Sequence, residues 1–181
     1  MERTELHTTR LLLRPWRLGD VDDAFAYASD PEWGRYLWMT PQPYTYRDAE
    51  EWAARCVLNR WEQDAQFAIE FPGHVIGGVR LNIVDPAGAT AGLGYNVARA
   101  HWGNGFATEA ASAVVAYGFE TLGLHRIFAT ADARNLASIR VMQKLGMQHE
   151  ATLRQHRFYR GEHADEVHYA ILAQEYFASR T

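Results

Sequence analysis

The sequence predicts an α+β fold around a mixed sheet, and three observations carry that expectation. Short β-type runs at 66–71, 75–84 and 91–97 are separated by the turn signals Pro72-Gly73 and Asp85-Pro86-Ala87-Gly88, the pattern of an antiparallel meander. After the meander, helical and strand-like periods alternate: a helix over 105–122, a strand over 125–131, and a helix over 135–145 closed by Gly146. No repeat, low-complexity stretch or compositional break divides the chain, so 1–181 reads as one domain.

The remaining elements follow in order. Arg10-Leu11-Leu12-Leu13-Arg14 predicts a first strand stopped by Pro15, and Gly19-Asp20 precedes a helical run over 21–29 with Asp20 as its cap. Residues 30–46 combine Pro31, Pro41 and Pro43 with Trp33, Tyr36, Trp38, Tyr44 and Tyr46. That is too much proline for a continuous helix and too many aromatics for an idle linker. A second helix over 46–61 brings Trp52, Cys56 and Leu58-Asn59 near one side. Two last strands, 148–159 and 166–172, flank the turn Arg160-Gly161-Glu162.

Composition removes several function classes. The chain has 181 residues, 48% apolar and 22% charged, which excludes wholesale disorder. A net charge of −4 argues against a protein held on nucleic acid by its overall field. The lone Cys56 cannot form an internal disulfide. No apolar run approaches a membrane span, and the opening Met1-Glu2-Arg3 lacks a leader pattern, so a cytoplasmic protein bound to neither membrane nor nucleic acid is expected. No metal site is expected either: His149-Glu150 is not followed by a histidine at H-E-x-x-H spacing, and His163 and His168, five apart, fall on opposite faces of an extended strand.

The stretch Leu93-Gly94-Tyr95-Asn96-Val97-Ala98-Arg99-Ala100-His101-Trp102-Gly103-Asn104-Gly105-Phe106-Ala107-Thr108-Glu109 runs from a strand through two glycines straight into an amphipathic helix. Glycines let backbone approach a phosphate, and the unpaired N–H groups and positive end of a helix attract it. The alternative is a plain tight turn. A dinucleotide fingerprint is excluded by Thr108 where a third glycine would stand, and a Walker loop by Leu124 after Gly118 and Gly123.

His101-Trp102-Gly103-Asn104-Gly105-Phe106-Ala107-Thr108-Glu109-Ala110 resembles the acyl-CoA pyrophosphate loop of the GNAT N-acetyltransferase superfamily, in particular its ribosomal-protein-alanine N-acetyltransferase branch. The superfamily pattern Q/R-x-x-G-x-G/A falls on 102–107, with Trp102 replacing the Gln or Arg. Asn135-Leu136-Ala137-Ser138 with Lys144-Leu145-Gly146-Met147 resembles the branch's N-x-x-S…K-L-G-F segment. Thr9-Arg10-Leu11-Leu12-Leu13-Arg14-Pro15 resembles its first strand, and 161–172 its last hairpin, with Asp165 and Tyr169 in register.

The resemblance implies a GNAT-like α/β/α domain with a mostly antiparallel sheet of about seven strands and four helices, transferring acetyl from acetyl-CoA to a primary amine without a metal. It implies that Trp102, Gly103, Asn104, Gly105, Phe106, Ala107 and Thr108 cradle the pyrophosphate and that Tyr95, Asn96 and Val97 pair with the pantetheine arm, the Val97 N–H facing the thioester oxygen. The alternative for that strand is ordinary packing. Many family members supply a tyrosine acid seven residues after the asparagine; here Met142 stands there. In this branch the serine at Ser138 is the acid, and Asn135 touches the cofactor; both also read as helix-capping residues. His156 is the candidate base because its unperturbed pKa suits the task, the alternative being a surface histidine. Glu109 reads as structural, since a carboxylate would oppose a nearby phosphate.

The acceptor implied is the α-amine of a protein or peptide. An α-amine, with a pKa of about 7.7–8.0, is roughly one-tenth neutral at pH 7, whereas a lysine amine is neutral only to a few parts in ten thousand. A polyamine, aminoglycoside or amino-acid derivative is the alternative acceptor, with Glu50-Glu51 or Asp22-Asp23 as its acidic contacts. A third reading is a CoA-binding sensor without turnover. The aromatic segment 33–46 would cover the acceptor entrance, seal the helices onto the sheet, or form a homodimer contact.

Overall fold

The computed structural model describes residues 3–180; Met1, Glu2 and Thr181, and with them the two ends of the expected domain and the start of the opening segment, lie outside the described residues. Strands β1 (Leu6–His7), β2 (Leu12–Pro15), β3 (Asp64–Phe71), β4 (His74–Asp85), β5 (Thr90–Val97), β6 (Arg126–Asp132), β7 (Gln148–Tyr159) and β8 (Glu162–Leu172) form one sheet. Its order is β1-β2-β3-β4-β5-β6-β8-β7, and every neighbouring pair is antiparallel except β5 with β6. The helices are α1 (Val21–Ala28), α2 (Tyr46–Leu58), α3 (Phe106–Ala116), α4 (Leu136–Lys144) and α5 (Ala173–Ala178).

The mixed, mostly antiparallel α+β architecture is therefore present, with eight strands and five helices among the described residues instead of about seven and four. The extra strand is Leu6–His7, which pairs with Leu12–Leu13; the extra helix follows β8 directly. Pro15 is the last residue of β2, opposite Phe67, as expected of a residue with no N–H to carry the ladder on. Asp20 is not the side-chain cap of α1. Its carboxylate accepts from the Arg17 backbone N–H and from both terminal nitrogens of buried Arg14, each at 2.8 Å. The second helix stops at Leu58, because Asn59 turns extended, and Leu58 itself is exposed.

Alternation along β3 divides the core. Phe67 and Ile69 point to a large cluster with Leu81, Val114, Ile127 and Met142, beneath α3 and α4. Ala68, between them, points to a smaller cluster of Trp16, Ala24, Ala49, Cys56 and Val75 beneath α1 and α2. The sheet is thus a middle layer with helices on both faces, and any opening through it connects the two.

Candidate active site

Such an opening exists where the parallel pair separates. Strands β5 and β6 pair only from Thr90 to Gly92 against Arg126 to Phe128. Beyond that, β5 stays with β4 up to Val97 while β6 stays with β8 up to Asp132. Between the parting strands lies a cavity of about 1110 Å³, lined by Tyr95, Asn96, Val97, Ser138, Glu166 and the aromatic segment among others.

The edge that β5 turns to this cavity is defined by its pairing. The Ala98 N–H donates to the Ile76 carbonyl at 2.6 Å, and antiparallel alternation then points the N–H and C=O of Val97 and Tyr95 away from β4. Trp102, half-exposed, confirms the direction: its indole N–H donates to the Val97 carbonyl at 2.7 Å. The residue that breaks the expected motif thus ties the loop to the strand end.

The loop itself is backbone architecture. Gly103 and Gly105 hold φ of 77° and 80°, a region where other L-residues pay a steric penalty. The Asn104 amide donates to the carbonyls of His101 and Trp102, both at 3.2 Å, and so fixes the turn. Gly105 is the N-cap of α3 and offers no side chain to the first-turn N–H groups, which leaves those of Phe106, Ala107 and Thr108 for another acceptor. Glu109 points away from that role. It accepts from the Thr8 hydroxyl at 2.6 Å and the Arg10 backbone N–H at 2.9 Å, and pairs with the Arg10 guanidinium. Burial pushes its carboxyl up, but these bonds outweigh burial and hold it below the usual range.

Across the cavity, Asn135 caps α4 by accepting from the Ser138 N–H at 3.1 Å. The Tyr95 hydroxyl lies 2.9 Å from Ser138 Oγ and 3.0 Å from its carbonyl oxygen, so two hydroxyls from separate elements meet at the cavity wall. Burial pushes the Tyr95 phenol up to about 12, the Ser138 bond opposing it, and the phenol keeps its proton at neutral pH. Met142 is fully buried in the core.

His156 is not brought to the cavity wall. It stands partly exposed with Nε2 3.4 Å from Glu166 Oε2, and it is Glu166 that lines the cavity. Glu166 is 2% exposed, accepts from the Arg157 guanidinium at 2.9 Å, and has His168 Nε2 at 3.4 Å. Burial raises its pKa, but Arg157 and a Thr130 hydroxyl bond hold it below the ordinary carboxylate value. Sequence reading missed this pair. The available signal was a charged residue in phase with Ala164 and Ala170 inside a strand whose middle is mostly buried. Among the described residues, no group of three or more His, Cys, Asp or Glu side chains is arranged to hold a metal ion.

The aromatic segment both packs and lines. Trp33 contacts Tyr27 and Tyr44, with ring centroids 5.2 and 6.4 Å apart, which seats it on α1. Trp38 lies over the Arg157 guanidinium at 4.3 Å, and Arg160 donates to the Gly34 carbonyl at 2.7 Å. The segment therefore spans from the helical layer to the β7–β8 hairpin. The acids weighed as polyamine contacts are largely engaged: Asp22 accepts from the Tyr46 hydroxyl, Asp23 from the Val75 N–H, and Glu51 pairs with Arg47.

Comparison with known proteins identifies the family and the fold. Residues 10–148 match the family model described as acetyltransferase (GNAT) domain. The uncharacterized N-acetyltransferase p20 of Bacillus licheniformis is 34% identical over 94% of this chain and 97% of its own length. The crystal structure of a GNAT-family acetyltransferase from Bacillus anthracis superposes with a TM-score of 0.84, at 27% identity, covering 94% of this chain and 99% of that one. Two further relatives carry acceptor names. A putative ribosomal N-acetyltransferase of Bacillus subtilis, YdaF, is 28% identical over 79% of this chain and 79% of its own. A spermidine N(1)-acetyltransferase of Escherichia coli is 26% identical over 65% of this chain and 63% of its own.

Proposed function

The chain belongs to the GNAT acetyltransferase family and is an acetyl-CoA-dependent N-acetyltransferase; from that premise we propose that its acceptor is the α-amine of a protein or peptide, attacked directly in a ternary complex. The observation that carries the reading is the parting of β5 from β6, which puts the Val97 N–H, the open first turn of α3, Ser138 and Glu166 on one cavity reachable from both faces of the sheet.

Acetyl-CoA supplies an activated acetyl thioester. Backbone N–H groups of 103–108 hold its pyrophosphate, with Trp102 and Asn104 bracing the loop and Asn135 forming the facing wall. The edge of β5, at Tyr95, Asn96 and Val97, takes the extended arm as an added strand, and the Val97 N–H polarises the acyl oxygen. Ser138 Oγ gives its proton to the departing sulfur and regains one from solvent in the cavity, while the Tyr95 hydroxyl 2.9 Å away holds Oγ in place. His156, behind Glu166, takes the amine's proton toward solvent. One domain over 1–181, acting in the cytoplasm, performs the reaction; among the described residues no helix is long and apolar enough to cross a membrane.

Support for an α-amine over a polyamine comes from the branch resemblance, from the YdaF relative and from the engaged state of Asp22, Asp23 and Glu51; the spermidine-acetylating relative supports the polyamine. Thiol release from acetyl-CoA across a panel of peptides, polyamines and aminoglycosides decides between them. Peptide N-termini are expected to give the highest kcat/KM; a polyamine or aminoglycoside leading the panel overturns the assignment. Release no faster than background with every amine overturns turnover itself.

A further inference from the structure

We propose that the acceptor is acidic: Arg80 and Arg55 form an anion site in the cavity, on the α1–α2 face of the sheet. That site receives a carboxylate two or three residues from the N-terminus being acetylated; the proposal rests on the reading that a peptide α-amine is the acceptor. Arg80 stands on β4 opposite Gln66 of β3 and Gly94 of β5. Gly78, two residues earlier, pairs with Ala68, so alternation puts Arg80 on the face of the smaller cluster, beneath α1 and α2. Arg55 reaches the same face from α2. Asn59, one turn further along, donates to the Asp64 carbonyl at 2.7 Å and so lays the end of α2 across the start of β3. Both arginines line the cavity, and both charges reach the buried Cys56 thiol, opposing the burial that pushes it up to about 12.

Neither cation is held in a close ion pair. Among the described residues Arg55 makes none, its guanidinium lying 5.7 Å from the Trp52 ring. Arg80 has only Asp64, at 3.7 Å, and the same Asp64 oxygen takes the Gln66 amide at 2.5 Å. That pair is too loose to govern Asp64, whose carboxyl is raised by burial in spite of Arg80. A guanidinium presents five N–H donors in a planar fork, which suits a carboxylate. The carboxylates of the cavity are, by contrast, engaged: Asp48 with Thr45, Asp132 with Arg134 and Glu166 with Arg157. Arg140 and Lys144 also line the cavity, but from α4, on the cofactor's face of the sheet.

The spacing sets where the acid must be. A Cβ at Gly94 would meet Arg80 Cγ at 3.4 Å and Nε at 3.7 Å, so Arg80 lies across β5 at a residue that has no side chain. From Gly94 to Val97 is three strand residues, about 10 Å. An extended peptide advances roughly 3.3–3.6 Å per residue. A chain whose α-amine reaches the thioester beside Val97 therefore brings its second or third side chain to the two arginines. The terminal carboxylate of a short free peptide has the same chemistry and reach, whereas the distal charge of a polyamine is repelled.

The test compares the amidated peptides Ala-Glu-Glu-Ala-Ala and Ala-Gln-Gln-Ala-Ala, reading Kd by NMR titration and kcat/KM by thiol release. The acidic peptide is expected to lead about tenfold in both, by a margin that shrinks as salt is raised. Replacing both arginines, Arg80→Gln with Arg55→Gln, is expected to bring the peptides level and leave the acetyl-CoA KM unchanged. Equal or undetectable binding of the two peptides to the wild type overturns the proposal. So does an undiminished preference in the double variant, or a rise in its acetyl-CoA KM in place of the peptide KM. Should the double variant lose its cooperative melt, Arg55→Gln alone, at an exposed position of α2, decides by the same comparison. Trialanine and its amide separate the two sources of carboxylate. A preference for the free acid, with none for the acidic side chains, overturns a protein N-terminus as the ligand. Selective binding of the acidic peptide without thiol release refutes transfer to an α-amine alone, whereas equal turnover of both peptides refutes the anion site alone.

Discussion

The two ends of the cavity are built in different ways. The end at α3 is made of backbone: two positive-φ glycines, an uncapped first helical turn and the bare edge of β5, all within one stretch of chain. The far end is made of side chains from separate segments: Glu166 on β8, Arg157 on β7, Thr130 on β6, and Trp33 and Trp38 from the chain between α1 and α2. Backbone donors recognise a feature common to every CoA thioester. Side chains assembled from distant positions can be exchanged one at a time without disturbing the backbone end.

Four substitutions test how separable the ends are. The largest effect is expected from Gly105→Val. A β-branched residue at φ 80° is strained and pushes the loop off its ligand, so the rise in Tm with acetyl-CoA should disappear and kcat/KM should fall about a hundredfold or more, with amine binding intact. A preserved Tm shift would mean that the α3 end does not hold the cofactor. Ser138→Ala is expected to lower kcat about a hundredfold while leaving acetyl-CoA affinity near normal; unchanged turnover in steady-state kinetics removes its role as acid.

Arg157→Ala acts at the other end. It strips Glu166 of its cation, and a buried carboxylate left unpaired should cost about 2–3 kcal/mol, a Tm lower by roughly 4–10 °C by calorimetry. The amine KM should rise and the acetyl-CoA KM stay put; a change in the acetyl-CoA KM alone would show that the ends are not independent.

The smallest effect is expected from Glu109→Gln, in the pH dependence of stability. The folded pKa of Glu109 is depressed, so its contribution is present above the unfolded value of about 4.3 and is lost as pH falls through the folded one. The variant should be less stable than the wild type at pH 7 by urea unfolding and converge with it in strong acid. A constant difference at all pH would assign the loss to packing.

Much of the fold was legible in sequence because it is local. Period-two runs and Pro-Gly turns mark the meander, and Gly146 closes α4 in the left-handed region. The errors fell where a distant partner decides. Asp20 looks like a cap in sequence, but buried Arg14, six residues earlier, needs its charge more than the helix needs a cap. His156 is a different case: its residue type and its strand make it the candidate base, and a bulge between Leu153 and Arg157 sets it beside Glu166 instead of among the residues lining the cavity.

The sequence by itself determined the order of elements, the glycine turn and the helix whose amino end it exposes, because backbone conformation is set by neighbours along the chain. Only the tertiary structure decided where β5 and β6 part, which hydroxyl meets Ser138, and which buried carboxylate Arg157 meets at the cavity wall. Those depend on pairing register and on side chains tens of residues apart, and no spacing within the sequence encodes a distance across a sheet.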